Sequence, residues 1–348
     1  MIEDNQTLAA GSQPKKHAGT SQPGAPVFIV GCPRSGTSFL YHLLLSAGGF
    51  AEFHTQMNVY DVLEPIYGNL SVSRNKRAAF EEWLRSKAGR ISGLERSQIE
   101  PSILDECQGA GDFLRIIMDA VARKQGVGRW IDSTPTNAPH MLRIHRDFPD
   151  ALFIHIIRDP RDVALSLDKR GWSRPFPWDK KHSLLAAGLY WEWIVRKGRH
   201  LGSMLPSQYL EVRYEDLVQS PKETLGAVGQ FAGCDLDYDR AQSTSTASIK
   251  EPLTSFPEDL QQGRFAPVGR WREKFPADQL RDFEILIGQY MEELGYLLST
   301  LKADRTETLR HRAMRAVYGL FYPFKQWAKT HTPLSRWMVD YSEILIDK

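Results

Sequence analysis

Cysteine is scarce in this sequence, and its few thiols are widely spaced. The 348 residues include three cysteines, Cys32, Cys107 and Cys234. An odd number of cysteines without a Cys-x-x-Cys spacing supports neither a disulfide framework nor a zinc site. We therefore expect reduced thiols in a cytosolic compartment, where disulfides rarely persist.

Long apolar segments are also missing. No stretch approaches the roughly 18 apolar residues of a membrane-spanning helix. The first residues include Glu3 and Asp4 and lack the apolar run of about 7–15 residues that a signal peptide needs. Residues 1–25 are rich in Gly, Ser, Pro, Gln, Thr and Lys, which predicts a disordered leader. Together these features predict a cytoplasmic protein.

Neither sign of charge is in excess. The chain has 44 Lys and Arg against 42 Asp and Glu, which leaves a formal net charge of +2. A protein that binds nucleic acid through a broad surface is expected to be strongly basic, so we expect no nucleic-acid partner. The balance still permits a local basic pocket for one small anion.

Buried strands alternate with helices along the chain. A continuous apolar run predicts a strand at residues 27–30, and strand-like segments at residues 130–131, 151–157 and 209–213 predict three more. Helices are predicted after these strands and also over residues 80–87, 112–124 and 184–198. This order predicts an α/β fold with a doubly wound, mostly parallel sheet flanked by helices. Ligands of such a sheet bind beyond the carboxyl ends of its strands.

A glycine-punctuated loop follows the first predicted strand. It reads Gly31-Cys32-Pro33-Arg34-Ser35-Gly36-Thr37-Ser38. Backbone N–H groups of a loop between a strand and a helix can converge on an anion, and the helix dipole adds positive charge. Arg34 supplies a full charge. The glycine spacing matches the Walker A loop, but Thr37 stands where that loop has its lysine, which argues against hydrolysis of ATP or GTP.

A second motif begins where the third predicted strand ends. It reads Arg158-Asp159-Pro160-Arg161-Asp162, and Ser166 lies two predicted helical turns beyond Arg158. Arg158 and Ser166 can therefore reach a second phosphate at the same edge of the sheet. The alternative is a surface network of Arg and Asp side chains that caps a helix.

Together the two motifs resemble those of sulfotransferases that use 3′-phosphoadenosine 5′-phosphosulfate (PAPS). In that family a P-R-S-G-T-[ST] loop holds the 5′-phosphosulfate, and an R-D-x-R-[DA]-x-x-x-S segment holds the 3′-phosphate. The resemblance extends to Tyr214-Glu215-Asp216-Leu217, similar to the family's Y-E-D-L turn, and to Gly269-Arg270-Trp271, similar to its G-x-W segment. It therefore covers about residues 26–300.

The resemblance implies a P-loop-like sulfotransferase domain over residues 26–300. Its activity would be in-line transfer of a sulfuryl group from PAPS, without a metal, to an acceptor hydroxyl or, less readily, an amine. The acceptor, whether a small molecule, carbohydrate, lipid or peptide, is not identified. The implied PAPS-binding residues are Arg34, Ser35, Gly36, Thr37 and Ser38 at the sulfated end, Arg158 and Ser166 at the 3′-phosphate, and Tyr214, Arg264 and Arg270 nearby.

An attacking hydroxyl must lose its proton, so a general base is expected near the loop. Family members use a His or a Glu, and in the tyrosine-sulfating type this Glu follows the loop arginine in sequence. Glu52 and His54 lie 18 and 20 residues after Arg34, which resembles that arrangement, and spacing does not choose between them. Asp132, at the end of the second predicted strand, is a third candidate. Arg34 is itself a catalytic candidate, because the resemblance implies that it contacts the sulfuryl group that is transferred.

One segment departs from the family pattern. Many relatives carry K-T-P after the second strand, with a lysine that stabilises the leaving phosphate, whereas this chain has Asp132-Ser133-Thr134-Pro135. Stabilisation must then come from Arg34, from loop amides or from another basic residue, or transfer is slow. The absent lysine and the unassigned base leave open a catalytically weak PAPS-binding scaffold. A P-loop kinase is the other alternative, and the missing Walker A lysine argues against it.

Two further segments combine basic and aromatic residues. Residues 171–178, Gly-Trp-Ser-Arg-Pro-Phe-Pro-Trp, predict either a lid or acceptor wall over the site or an irregular packed connection. Residues 302–329 hold seven Lys and Arg but two Asp and Glu, interleaved with apolar residues. This pattern predicts a basic amphipathic helical extension over residues 301–348 that contacts a membrane surface, a second copy or the parent domain.

Overall fold

The structure is a computed structural model that describes residues 24–241, 266–301, 303, 305–332 and 334–338. Within these residues, five parallel strands form a sheet in the order β2-β3-β1-β4-β5. The predicted α/β class with a mostly parallel sheet is thereby confirmed. The strands are β1 (Val27–Gly31), β2 (Phe50–Ala51), β3 (Arg129–Asp132), β4 (Leu152–Ile157) and β5 (Tyr209–Arg213).

Helices connect and flank the strands. The helices are α1 (Thr37–Leu45), α2 (Glu64–Tyr67), α3 (Ser73–Arg85), α4 (Lys87–Ser92), α5 (Arg96–Asp105), α6 (Ala110–Lys124), α7 (Met141–Asp147), α8 (Pro160–Lys169), α9 (Ser183–Gly202), α10 (Tyr214–Gln219), α11 (Pro221–Ala232), α12 (Trp271–Lys274), α13 (Ala277–Glu293), α14 (Leu309–His331) and α15 (Ser335–Met338). A π-helical turn covers Val59–Leu63, and 3-10 helices cover Pro135–His140 and Pro177–His182.

The central strand β1 is buried on both faces. Its alternate residues enter different cores, with Phe28 and Val30 in the larger one and Val27 and Ile29 in the smaller one. Because side chains of a strand alternate between faces, an uninterrupted apolar run is what this position requires. The strands are parallel, so the segments after β1, β3 and β4 emerge at the same edge of the sheet.

Local chemistry explains where the sequence predictions missed. Strand β2 has two residues, too few for a periodic apolar pattern. The helix expected after β3 begins only at Met141, behind a 3-10 helix containing Pro135 and Pro139, which have no backbone N–H to donate to a helix. The turn expected at residues 214–217 is wrong, because these residues lie in α10.

The predicted helical C-terminal region is confirmed by α14, which packs on the parent domain. The Tyr322 hydroxyl donates a hydrogen bond to the Ala186 carbonyl (3.0 Å), and Lys329 Nζ lies 2.7 Å from Asp61 Oδ1. Among the described residues, no helix is both long and apolar enough to cross a bilayer. The predicted leader falls outside the described residues as far as residue 23.

Candidate active site

The loop between β1 and α1 has an unusual backbone. Arg34 has φ 72°, and Gly36, which precedes the first residue of α1, has φ 104°. A positive φ costs free energy for a residue with a side chain, and such conformations cluster at functional sites. The Ser35 amide donates to the Cys32 carbonyl (3.1 Å) and closes the turn.

Both loop glycines sit against neighbouring elements. A Cβ at Gly31 would lie 2.5 Å from the carbonyl oxygen of Ile156 on β4. A Cβ at Gly36 would lie 2.4 Å from the ring of Tyr214 on α10. Only glycine fits at this separation, so the loop is held against β4 and α10.

Arg34 links the two sequence motifs directly. Its Nε donates a hydrogen bond to Ser166 Oγ (3.0 Å), across 132 residues of sequence. Its guanidinium also lies 5.6 Å from the ring centroid of Trp172. Burial, and then the positive charges of Arg170 and Arg158, lower the pKa of Arg34 to about 10. Arg34 remains a cation at neutral pH, in a place where an anion would offset closely spaced positive charges.

Arg158 follows β4 and faces the same loop. Its Nη1 donates to the Arg34 carbonyl (3.2 Å), and its Nη2 donates to the Pro267 carbonyl (2.6 Å). The guanidinium lies 4.3 Å from the ring centroid of Tyr214. The structure thus brings together four of the predicted cofactor-binding residues: Arg34, Arg158, Ser166 and Tyr214.

Asp162 brings the Gly269-Arg270-Trp271 segment to this edge. Its two carboxylate oxygens accept hydrogen bonds from the backbone amides of Gly269 (2.8 Å) and Trp271 (2.9 Å). Arg270 lies between these two residues and is buried. Burial raises the pKa of Tyr214, and the positive charges of Arg158 and Arg270 oppose this increase. Arg264, the other basic residue predicted to help, falls outside the described residues. The sequence contains Asp162 within its second motif, but no sequence signal assigned it this role.

Two polar atoms at the edge are buried without a protein partner. Within the described part of the chain, Ser35 Oγ and Arg158 Nε have no hydrogen-bond partner. A buried donor that lacks a partner carries a desolvation cost, which a bound anion would remove. The donors and charges present therefore fit a nucleotide with anionic groups at both ends.

The expected Arg–Asp network also exists, but it is buried rather than on the surface. Arg161 pairs with Asp159 (2.7 Å) on one side and with Glu284 (2.9 Å) on α13 on the other. Its guanidinium lies 3.5 Å from the ring centroid of Trp271. Within one motif, Arg158 faces the loop and Arg161 joins α8 to α13.

Glu52 and His54 lie just after β2, and both are well exposed. Their side chains are 66% and 47% exposed, and His54 Nε2 lies 3.6 Å from Glu52 Oε2. The His54 ring stacks on His42 of α1, with centroids 5.4 Å apart. Because β3 separates β2 from β1, these candidates start two strand spacings, about 10 Å, to one side of the loop.

Two side chains that sequence reasoning missed hold the backbone of this stretch. Tyr41 OH accepts a hydrogen bond from the Phe53 amide (2.6 Å). Gln125 contacts the Glu52 backbone twice, since its Oε1 accepts from the amide (2.7 Å) and its Nε2 donates to the carbonyl (2.9 Å). Neither residue type has a sequence signature for this task, because the contacts join distant segments.

Asp132, the third candidate base, is buried at the end of β3 and already engaged. Its Oδ1 accepts from the amide and the hydroxyl of Thr134, and its Oδ2 accepts from Asn137 Nδ2 (3.1 Å). Burial raises the pKa of Asp132, and these hydrogen bonds oppose the increase. Its visible contacts organise the turn after β3.

Comparison with known proteins gives matches to sulfotransferases. A family model described as "Sulfotransferase family" matches residues 26–238. A Caenorhabditis briggsae protein named "Putative protein-tyrosine sulfotransferase" is 23% identical over 296 residues, covering 80% of this chain and 91% of that protein. An uncharacterized Aquifex aeolicus protein is 25% identical over 243 residues. The match covers 65% of this chain and 28% of the Aquifex protein.

Solved structures give weaker matches. The sulfotransferase domain of the Synechococcus PCC 7002 olefin synthase is 19% identical with a TM-score of 0.49, covering 82% of this chain and 100% of that domain. A mouse sulfotransferase complexed with PAP is 17% identical with a TM-score of 0.43, covering 79% of this chain and 88% of the mouse chain. The family model spans well over half of the 348 residues, including both motifs of the loop edge. The chain therefore belongs to the sulfotransferase family.

Proposed function

We propose that this protein transfers a sulfuryl group from PAPS to an acceptor hydroxyl. The observation that carries the proposal is the hydrogen bond between Arg34 and Ser166, with Arg158 bonded to the same loop. It joins the segment that resembles a 5′-phosphosulfate site to the one that resembles a 3′-phosphate site. One nucleotide with two anionic ends would engage both.

The residues at the loop edge would divide the nucleotide between them. Arg34 and the buried Ser35 hydroxyl, with the amides at the start of α1, would bind the sulfated end. Arg158 and Ser166 would bind the 3′-phosphate, with Tyr214 and Arg270 beside them. Bound PAPS supplies an activated sulfuryl group. The protein's part is to position that group and to direct donors towards oxygens that gain charge.

Arg170 offers an answer to the missing K-T-P lysine. Its charge is near enough to Arg34 to contribute to the lowered pKa of that guanidinium. Arg34 and Arg170 together would stabilise the leaving 5′-phosphate in place of a lysine. Ser133 follows β3 in the segment that departs from the family's K-T-P pattern, and its side chain carries no charge.

The acceptor's proton would pass to the Glu52–His54 pair. We propose His54 as the base and Glu52 as the carboxylate that orients it, because the two groups face each other at 3.6 Å. Both are open to solvent, so a proton taken from the acceptor can leave to water. The Tyr41 and Gln125 hydrogen bonds would keep the pair in place.

An acceptor screen with sulfur-labelled PAPS tests the proposal. The purified chain would be incubated with phenols, sugars, lipids and tyrosine-containing peptides, the last group suggested by the name of the Caenorhabditis relative. Labelled product from at least one class is expected, without added Mg²⁺. Mg²⁺-dependent ATP turnover would instead establish the kinase alternative. Tight binding of 3′-phosphoadenosine 5′-phosphate (PAP) without transfer to any class would establish the scaffold alternative.

A further inference from the structure

The outward face of α14 has no charged or polar residue over four turns. Between residues 313 and 327, its exposed positions are Ala313, Ala316, Val317, Gly319, Leu320, Pro323, Phe324 and Trp327. At 1.5 Å per residue, this apolar face is about 20 Å long. Leu320 is 75% exposed, so the face is open rather than covered by the parent domain.

An exposed aromatic residue from another segment extends this face. Trp178 is 77% exposed and stacks on Phe176, with ring centroids 4.7 Å apart. Phe176 in turn packs against Phe321 of α14, with ring centroids 4.7 Å apart. Trp178 and the apolar face of α14 therefore form one contiguous surface, which we call the apolar platform.

Positive charge borders the apolar platform on the side of Trp178. Residues 169–181 contain five Lys and Arg against one acid, Asp179. Arg174, Lys180 and Lys181 are exposed. Asp179 contacts His182 (2.6 Å) and the hydroxyl of Tyr318 (3.1 Å), so it is directed towards the protein.

Three of the basic residues of α14 have a different function. The helix has five Lys and Arg and no acid of its own. Arg310, Arg315 and Lys329 lie within 4.0 Å of carboxylates on the parent domain, Asp282, Glu192 and Asp61. These pairs fix the helix on the domain with its apolar face outward.

We propose that the apolar platform docks on an anionic membrane surface. Helices that lie in a bilayer interface bury an apolar face bordered by Lys and Arg, and Trp favours the boundary between acyl chains and headgroups. The basic side chains beside Trp178 complement anionic headgroups. A symmetric dimer through the same platform would bring two basic segments together, and their repulsion disfavours it.

The proposal goes beyond sulfuryl transfer and does not depend on it. The segment that carries Trp178 also carries Trp172, whose ring lies beside Arg34. The apolar platform thus adjoins the candidate active site through residues 172–178. Docking would present that site to molecules held in the membrane.

Vesicle co-sedimentation of the full chain tests the proposal. Vesicles of phosphatidylcholine with phosphatidylglycerol are compared with vesicles of phosphatidylcholine alone. Phe324→Glu is expected to lower binding to the anionic vesicles by about tenfold or more, since it places a charge in the acyl region. Met204→Glu is the matched control, because Met204 and Phe324 are both 51% exposed. Met204 follows the carboxyl end of α9, whereas α14 contacts Ala186 near the start of that helix. Met204→Glu should bind as the unmodified protein does.

A second variant tests the electrostatic part. Lys180→Glu with Lys181→Glu should weaken binding to anionic vesicles and reduce its dependence on salt. No binding to anionic vesicles at low salt, or unchanged binding by Phe324→Glu, would overturn the proposal. So would a dimer in sedimentation analysis that Phe324→Glu converts to monomer, since a second copy would then occupy the platform.

Discussion

The two sides of the candidate site are built by different means. On the proposed nucleotide side, Arg34, Arg158 and Ser166 lie at the sheet edge and are joined by hydrogen bonds. On the proposed acceptor side, Glu52 and His54 project from the end of a two-residue edge strand into solvent. One side is fixed by packing and the other rests on a few hydrogen bonds to backbone.

This contrast matches what each side would have to recognise. A nucleotide common to every turnover suits a site whose shape is set by buried backbone and charge. The exposed side chains on the acceptor side can change at little cost in stability, since exposed substitutions usually alter stability little. The nucleotide side should therefore be sensitive in stability and binding, and the acceptor side in turnover.

The largest expected effect is on turnover from the acceptor side. His54→Ala should lower kcat about 10²–10⁴-fold, the range for loss of a general base. Glu52→Gln should lower it less, because it removes only the carboxylate proposed to orient His54. PAP affinity, measured by calorimetry, should stay close to that of the unmodified protein, because neither side chain adjoins the Arg34 loop. Gln56→Ala is the control in the same stretch and should keep its turnover. Full turnover in both variants would place the base elsewhere, with Asp132 next.

The next effect is on stability from the nucleotide side. Arg161→Met should cost about 3–5 kcal/mol of unfolding free energy, because Asp159 and Glu284 would remain buried without a counter-charge. Arg115→Met, at the exposed pair with Asp112, should change it by less than about 1 kcal/mol. Chemical denaturation compares the two. Equal values would mean that the buried network does not stabilise this side.

The pH dependence of stability should also originate on the nucleotide side. His155 on β4 is fully buried, and burial lowers its pKa to about 4 from an ordinary value of about 6.5. As pH falls from about 6.5 to 4, His155 binds a proton in the unfolded chain but not in the folded one. The free energy of unfolding therefore decreases by about 3 kcal/mol and then levels off. His155→Gln should remove this part of the decrease in unfolding curves measured from pH 7 to 4. An unchanged decrease would assign it to other groups.

The smallest of these effects is on binding. Arg158→Ala should weaken PAP binding by about 1.5–3 kcal/mol, the loss of a charge-assisted hydrogen bond. Calorimetry at constant salt measures it. Arg272→Ala, an exposed basic residue close in sequence to the Arg270 segment, should bind PAP nearly normally. Unchanged affinity in Arg158→Ala would remove Arg158 from the proposed 3′-phosphate site.

Much of the nucleotide side could be predicted from sequence. Strand β1 is an uninterrupted apolar run, β4 is apolar except for His155, and the glycine loop follows β1 directly. Because parallel strands end at one edge, placing Arg34 and Arg158 near each other needed no further information. The residues matched by the family model include both arginines.

What could not be predicted depends on contacts between distant segments. Arg158 and Arg161 have the same side chain three residues apart, and only the packing of α13 shows which one is structural. Asp162 acts through backbone amides more than a hundred residues away. The two-residue β2, which positions Glu52 and His54, is specified by its neighbour β3 rather than by its own sequence.

The close approach of Gly36 to Tyr214 has a consequence for protein engineering. Because a Cβ at position 36 would lie 2.4 Å from the tyrosine ring, the loop and the start of α10 must be varied together or not at all. A library that randomises the loop alone would consist mostly of clashing variants. A transplant of the loop to another scaffold would need the aromatic residue moved with it. Gly36 and Tyr214 therefore have to be kept as a pair, although they lie 178 positions apart in the sequence.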